Sequence, residues 1–274
     1  MTVLLDESVQ NYIDWLKNIK KAPYHTFRAY QVDLLHFLKY FLCLEKNDIP
    51  SKEEMEEYLA SIKNKYNYAS YRRKVTVLRN FTSHLVDSGI DVPDPFISIS
   101  LPMPGIDFNI PVLYEEVLEF IENLPENESS EIRDKIIFSL VTKAGLTVKQ
   151  VTALKVKDIN MASNQIFLSR NQMTFIDPKT QALIEKYLSF QSSDSPLTLE
   201  DFIISRSLKA GEGRVPLSTR SINLIIDKTS VKLKFRSRLS PTILRRLFAK
   251  SLTDKNINKA TKELIFGKKC RLVS

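Results

Sequence analysis

Apolar residues recur at intervals of three and four from Leu4 to Ile90, the period of helices that each bury one face. Val9, Ile13, Leu16 and Ile19 open the series, and Phe27, Tyr30, Leu34, Leu38 and Phe41 carry a second run. Ser51-Lys52-Glu53-Glu54 predicts the start of a third helix, because the serine oxygen can accept an orphan backbone N–H while Glu54 reaches back to the serine. A fourth is expected from about Ala69 to Asp87, with Gly89 placed to end it in a left-handed conformation. Four helices of this length can close around one small core.

The pattern breaks over residues 91–111, where Pro93, Pro95, Pro102, Pro104 and Pro111 predict an extended linker. That divides the chain into a helical domain, 1–90, and a second domain, 112–274. The second is expected to open with helices near 113–124 and 129–144, followed by a short one over about 148–154. Gln165-Ile166-Phe167-Leu168 and Met173-Thr174-Phe175-Ile176 read as two strands around a turn. Helices resume near 179–190, 218–233, 241–253 and 256–266, with Ser240-Pro241 a sound start for the third of these. The fold class is therefore mainly α with a small antiparallel sheet.

Composition removes several functions. The longest apolar runs, such as Ile136 to Val141, fall far short of the ~20 residues that span a bilayer. The N-terminus also lacks a basic segment followed by an apolar one, so a cytoplasmic protein without a membrane partner is expected. Cys43 and Cys270 match no metal or redox spacing and read as one core thiol and one tail thiol. None of the six glycines falls in a phosphate-cradling pattern, and no cofactor or metal is expected. The net charge of +8 is unevenly placed: residues 1–100 hold 13 basic and 13 acidic side chains, whereas 201–274 hold 18 and 5. Charge alone leaves two readings open, a solvated basic face or a nucleic-acid surface.

Ala22-Pro23-Tyr24-His25-Thr26-Phe27-Arg28-Ala29-Tyr30, with Asp33, Leu34, Phe37 and Leu38, resembles the start of the core-binding domain of Xer-type tyrosine recombinases. Tyr71-Arg72-Arg73-Lys74 with Leu78-Arg79-Asn80-Phe81 is similar to that domain's fourth helix. Lys143-Ala144-Gly145-Leu146-Thr147-Val148, then Leu154 and Asp158-Ile159, follow the order of the family's first catalytic-arginine region. Leu239-Ser240-Pro241-Thr242-Ile243-Leu244-Arg245-Arg246-Leu247-Phe248-Ala249 is similar to its HxLRH box. The resemblance to the tyrosine recombinase, or phage integrase, family implies a helical SAM-like core-binding domain. It further implies an α+β catalytic-type domain with a small antiparallel sheet, the two forming a C-shaped clamp on double-stranded DNA.

Family members use a tyrosine to attack a backbone phosphate, two arginines to hold the developing charge, and lysine and histidine groups for proton transfer. Carried over by position, the first arginine falls on Thr147, which with Gln150 suits a capping box. The hairpin lysine falls in Ser169-Arg170-Asn171-Gln172, with Asn171 at its place, and the histidine falls on Thr242. Arg245 matches the second arginine, Arg246 replaces a following histidine, and Lys268 of Gly267-Lys268 stands at a His/Trp position. The three histidines, His25, His36 and His84, all lie in the first domain, and the last tyrosine is Tyr187, which reads as a helix residue. The expectation is a DNA-binding protein that is not an enzyme, with an architectural, regulatory or accessory role and another recombinase or regulatory protein as a possible partner. Contacts to DNA are expected from Arg28, Tyr30, Arg72, Arg73 and Arg79 in the first domain. In the second they are expected from Arg170, Arg220, Arg236, Arg238, Arg245, Arg246, Lys268 and Lys269. Two alternatives stand beside this. One is an active recombinase whose tyrosine lies outside this chain or comes from a partner. The other is a protein-interaction module on the same scaffold. The short tail after Gly267 leaves little to exchange with a neighbour, so a monomer is expected without DNA.

Overall fold

Leu5, Val9, Tyr12, Ile13 and Leu16 are all buried, so the periodic face that opens the sequence is the inner face of a helix. The structure is a computed structural model that describes residues 3–92, 96, 101, 112–169, 171–192, 196–206, 214–268, 270 and 272. It divides into two compact units, Met1–Met103 and Pro104–Ser274. The five prolines behind the linker expectation lie outside the described residues.

The first unit holds α1 (Leu5–Asn18), α2 (Tyr24–Leu42), α3 (Lys52–Lys63) and α4 (Tyr68–Asp87). Leu34, Phe37 and Phe41 of α2 meet Met55, Tyr58 and Ile62 of α3 and Val75, Leu78 and Phe81 of α4 in one core. The Ser51 capping box forms: Glu54 N–H donates to Ser51 Oγ at 3.3 Å and Ser51 N–H to Glu54 Oε2 at 2.8 Å. Two expectations are corrected. Ile19 follows the last residue of α1 and is 72% exposed, because the helix ends before its next inward position. Cys43 caps α2 on the outside and is an exposed thiol, not a core one.

Asp33 is buried in this unit between the Lys74 ammonium and the Arg73 guanidinium, each at 3.0 Å. Lys74 also lies over the Tyr66 ring at 4.7 Å, and His36 bridges the Tyr58 and Tyr66 hydroxyls at 2.9 and 3.1 Å. A carboxylate and an ammonium removed from water together need each other: deleting one leaves the other charged, buried and uncompensated.

The second unit is built around α6 (Ser129–Thr142), whose Ile132, Ile136, Ile137, Phe138, Leu140 and Val141 are all fully buried. A helix apolar on nearly every face must be surrounded. Its neighbours are α5 (Tyr114–Glu122), α7 (Val148–Ala153), α8 (Pro178–Ser192), α9 (Thr219–Lys232) and α10 (Pro241–Asp254). A last helix, α11 (Lys259–Phe266), packs on the sheet. It starts at Lys259 and not at 256, because Asn256 has a positive φ of 55° and Asn258 is the cap, accepting Thr261 N–H at 2.8 Å.

The sheet runs β1 (Ile159–Asn160), β2 (Gln165–Ser169), β3 (Gln172–Phe175), antiparallel throughout, with Ile159 opposite Ile166 and Ile166 opposite Thr174. Two residues carry no readable alternation, which is why β1 is absent from the sequence reading. The irregular stretch 201–206 carries no sequence pattern that marks it, though Ile203, Ile204 and Ser205 are fully buried. Ile203 N–H donates to Leu154 O at 2.9 Å and Leu217 N–H to Ile204 O at 3.2 Å, so its backbone is paired without a regular strand pattern. Among the described residues, no helix is long and apolar enough to cross a membrane, and no group of three His, Cys, Asp or Glu side chains could hold a metal.

Asp33→Ala is expected to destabilise the first unit by about 3–5 kcal/mol, and adding Lys74→Met is expected to restore most of the loss. Urea unfolding followed through the fluorescence of Trp15, the sole tryptophan, reads this unit alone. A loss below ~1 kcal/mol would show the pair is not desolvated.

Candidate functional site

The turn after α6 places the site. Gly145 sits at φ +72°, and a Cβ there would lie 2.8 Å from Phe248 Cδ1 and 2.9 Å from Phe266 Cε1. Only glycine meets both demands, a left-handed backbone and contact with two rings. Two residues on, Thr147 caps α7: Gln150 N–H donates to Thr147 Oγ1 at 3.1 Å and Thr147 N–H to Gln150 Oε1 at 2.8 Å. The capping box read from the sequence is therefore present. At the other end of the turn, Lys143 and Lys179 grip Glu122 at 2.9 and 2.8 Å. The bonds from Lys179 and Lys143 hold that carboxyl down at about 2, so α5, α6 and α8 are tied together where the turn begins.

Arg245 of α10 comes to this turn. Its Nε donates to Gly145 O at 2.8 Å, its guanidinium lies over the Phe266 ring at 5.7 Å, and Cys270 is near enough to act on its charge. Burial lowers its pKa and Cys270 partly opposes that, but a guanidinium remains charged at neutral pH. Ser240 and Pro241 start α10 as read, Ile243 N–H donating to Ser240 Oγ at 3.3 Å. Thr242, Arg245 and Arg246 then face a cavity of about 280 Å³ lined also by Thr147, Val148, Asn223, Pro241 and Leu272. Two cations, two hydroxyls and an amide suit a phosphate. The described residues that line it include no carboxylate, imidazole or phenol.

The sheet is fixed to the same turn, Thr174 Oγ1 donating to Ala144 O at 2.8 Å and Gln172 Nε2 to Ile265 O at 2.8 Å. Asn171 is exposed in the hairpin turn, and Lys268 is exposed in the turn after α11. Arg170 and Lys269 lie outside the described residues.

The other expected contacts are dispersed. Arg220 is exposed on α9 beside a second cleft of about 590 Å³ that Arg238 also lines. Arg238 forks onto Asp227, its second nitrogen at 2.6 Å, and Arg236 pairs with Glu116 at 2.6 Å. In the first unit Arg28 is exposed and donates to Gln31 at 3.2 Å, while Arg72 is half-buried. Tyr30 Oη accepts from Asn80 at 2.7 Å, Arg73 serves Asp33, and Arg79 donates to Phe96 O at 3.3 Å. Thr147, Thr242, Arg245 and Arg246 are thus brought together, and Arg220 and Arg238 adjoin them. Sequence reasoning missed Asn223, Phe266 and Cys270, none of which stands in a motif. Their role comes from packing around Arg245, from which they lie 21 to 25 positions away in sequence.

Residues 111–267 match the phage integrase family, and residues 9–89 match the phage integrase N-terminal SAM-like domain. The chain is 28% identical over 271 residues to a tyrosine recombinase of Pseudothermotoga lettingae, covering 93% of this chain and 87% of that one. It is 26% identical over 275 residues to the tyrosine recombinase XerC of Leptospira interrogans, covering 95% and 85%. Among solved structures it is similar in fold to a lambda integrase dimer bound to a core site, with a TM-score of 0.71 at 12% identity over 98% of this chain and 93% of that one. The Tn1549 transposon integrase in complex with a circular intermediate DNA gives 0.70 at 15% identity, over 98% and 93%.

These relatives overturn the expectation that the chain is not an enzyme, since proteins named as tyrosine recombinases, which are enzymes, match it over 85% and 87% of their lengths. That expectation rested on a few motif positions taken one at a time. Completeness of a phosphoryl-transfer site is a property of the assembled site, to which another subunit can bring a group.

Gly145→Ala is expected to cost about 1–3 kcal/mol through overpacking against Phe248 and Phe266 and the unfavourable φ. Calorimetry should show a lower transition for the second unit with the first unchanged. An unshifted second transition would show that the rings move aside freely.

Proposed function

This chain belongs to the phage integrase family of tyrosine recombinases, and from that premise we propose that it grips duplex DNA through backbone phosphates and takes part in strand exchange together with a second recombinase chain. The observation that carries this is Arg245, held by Gly145 O and Phe266 and presented to a cavity with Arg246 and Thr242. A guanidinium fixed in advance loses little entropy when it meets a phosphate, and charge-assisted bonds are the strong ones. The excess of 18 basic over 5 acidic residues in 201–274 supplies the surrounding field. The lambda and Tn1549 integrases, whose fold this chain shares, carry DNA in their solved structures. Arg28 and Arg72 in the first unit add phosphate contacts on the same reading.

Titration of a labelled duplex across a salt series tests this. Binding should weaken linearly in log–log form, by roughly 10³-fold or more between 50 and 200 mM salt if six or more phosphates are held. Arg245→Ala should weaken it by roughly tenfold to a hundredfold, the range for a bond to a charged group. Negligible binding at low salt, or affinity indifferent to salt, overturns the proposal. A suicide substrate is then offered with and without a second recombinase. A covalent adduct on this chain identifies it as a cleaving subunit, and no strand exchange in either arm overturns its part in the reaction.

A further inference from the structure

We infer that the hollow bounded by α5, α6 and α8 binds the phosphate group of a small ligand, free or carried on a short carbon body, at a site separate from the cavity at Arg245. The hollow measures about 250 Å³, below the ~300–1,000 Å³ of sites for drug-sized ligands, and its lining belongs wholly to the second unit. Ser139 of α6 lines it, is 1% exposed, and has a hydroxyl without a hydrogen-bond partner. The buried serines of the neighbouring helices differ: Ser230 Oγ donates to Asp227 O and Ser251 Oγ to Phe248 O, each at 2.8 Å. A buried hydroxyl with no partner has given up its water bonds and gained nothing in return, and an oxygen brought by a ligand supplies what Ser139 lacks.

Charge points to the kind of ligand. Lys135 and Lys186 hold Glu126 at 2.7 and 3.6 Å, and Lys143 and Lys179 hold Glu122 at 2.9 and 2.8 Å. Four cations against two carboxylates leave this lining with two positive charges in surplus. Asp177 lies 3.8 Å from Lys143, but it accepts Thr180 N–H at 3.1 Å at the start of α8 and does not line the hollow. A phosphate monoester carries about −1.5 to −2 charges at neutral pH and matches the surplus, which a monocarboxylate would only half meet. Lys135 is buried and already donates to Glu122 O at 2.7 Å, Leu124 O at 3.3 Å and Glu126. Lys179 is exposed and donates to Glu122 among the described residues, so its ammonium has further protons to offer a phosphate. Leu183 and Ala182 give the hollow an apolar side against which a short carbon body can lie.

Calorimetric titration of the full chain without DNA tests this, using inorganic phosphate and glycerol phosphate in parallel, with acetate at matched ionic strength as the control. Saturable binding of either phosphate with a Kd at or below about 1 mM is expected, acetate giving none. Tighter binding of glycerol phosphate, by roughly fourfold for each methylene buried, identifies an organic phosphate, and equal binding identifies the free ion. Lys179→Gln combined with Lys186→Gln should weaken the phosphate by roughly tenfold to a hundredfold and leave duplex binding unchanged. Ser139→Ala should weaken it too, while the ligand-free second unit melts no lower than the wild type because an unsatisfied hydroxyl has been removed. A serine with only a structural role would lower that transition and leave phosphate affinity alone. Absence of saturable binding overturns the inference. So does binding that survives the double lysine variant and is lost in Arg245→Ala, which places the phosphate in the other cavity. Duplex affinity that falls in step with phosphate affinity in the lysine variant also overturns it, since the lysines would then serve DNA.

Discussion

One hydrogen bond, Arg245 Nε to Gly145 O, joins the two segments on which the second unit's site depends. It requires the turn after α6 to aim a carbonyl at α10. That requires a left-handed residue at 145, and the rings of Phe248 and Phe266 leave that residue no room for a Cβ. The same turn feeds directly into the Thr147 cap and receives Thr174 from the sheet. Helix, cap, strand and arginine are thus held by one short stretch of backbone.

The basic charge of the chain is divided between fastening and presenting. Arg214 is buried against Asp201 at 2.9 Å, Arg236 serves Glu116, and Arg238 serves Asp227. In the first unit Arg73 and Lys74 are committed to Asp33. Net charge measures none of this, because a paired arginine counts the same as a free one. What distinguishes Arg245 is that its anchors are a neutral carbonyl, a ring face and a thiol, so its charge is fixed in place without being cancelled.

Much of this was legible in the sequence because it is local. Helix periodicity, the Ser51 and Thr147 capping boxes, the Ser240-Pro241 start and the β2–β3 hairpin depend on residues within a few positions of one another, and the structure contains each. Motif order across the chain marked the family. Reading the substituted motif positions as proof of a non-enzyme failed for the opposite reason: catalytic competence is a relation among groups, not a property of single positions.

The sequence by itself determined where helices begin, which faces are apolar and how charge is distributed, since each follows from backbone hydrogen-bond satisfaction and burial over one or two turns. Only the tertiary structure decided that Gly145 meets Phe248 and Phe266, that Cys43 is exposed while Cys270 touches Arg245, that Ile203 and Ile204 are buried, and that Asn223 walls two cavities. Those facts arise where segments distant in sequence pack together. Side-chain shape and excluded volume settle that packing, and neither leaves a periodic trace in the chain.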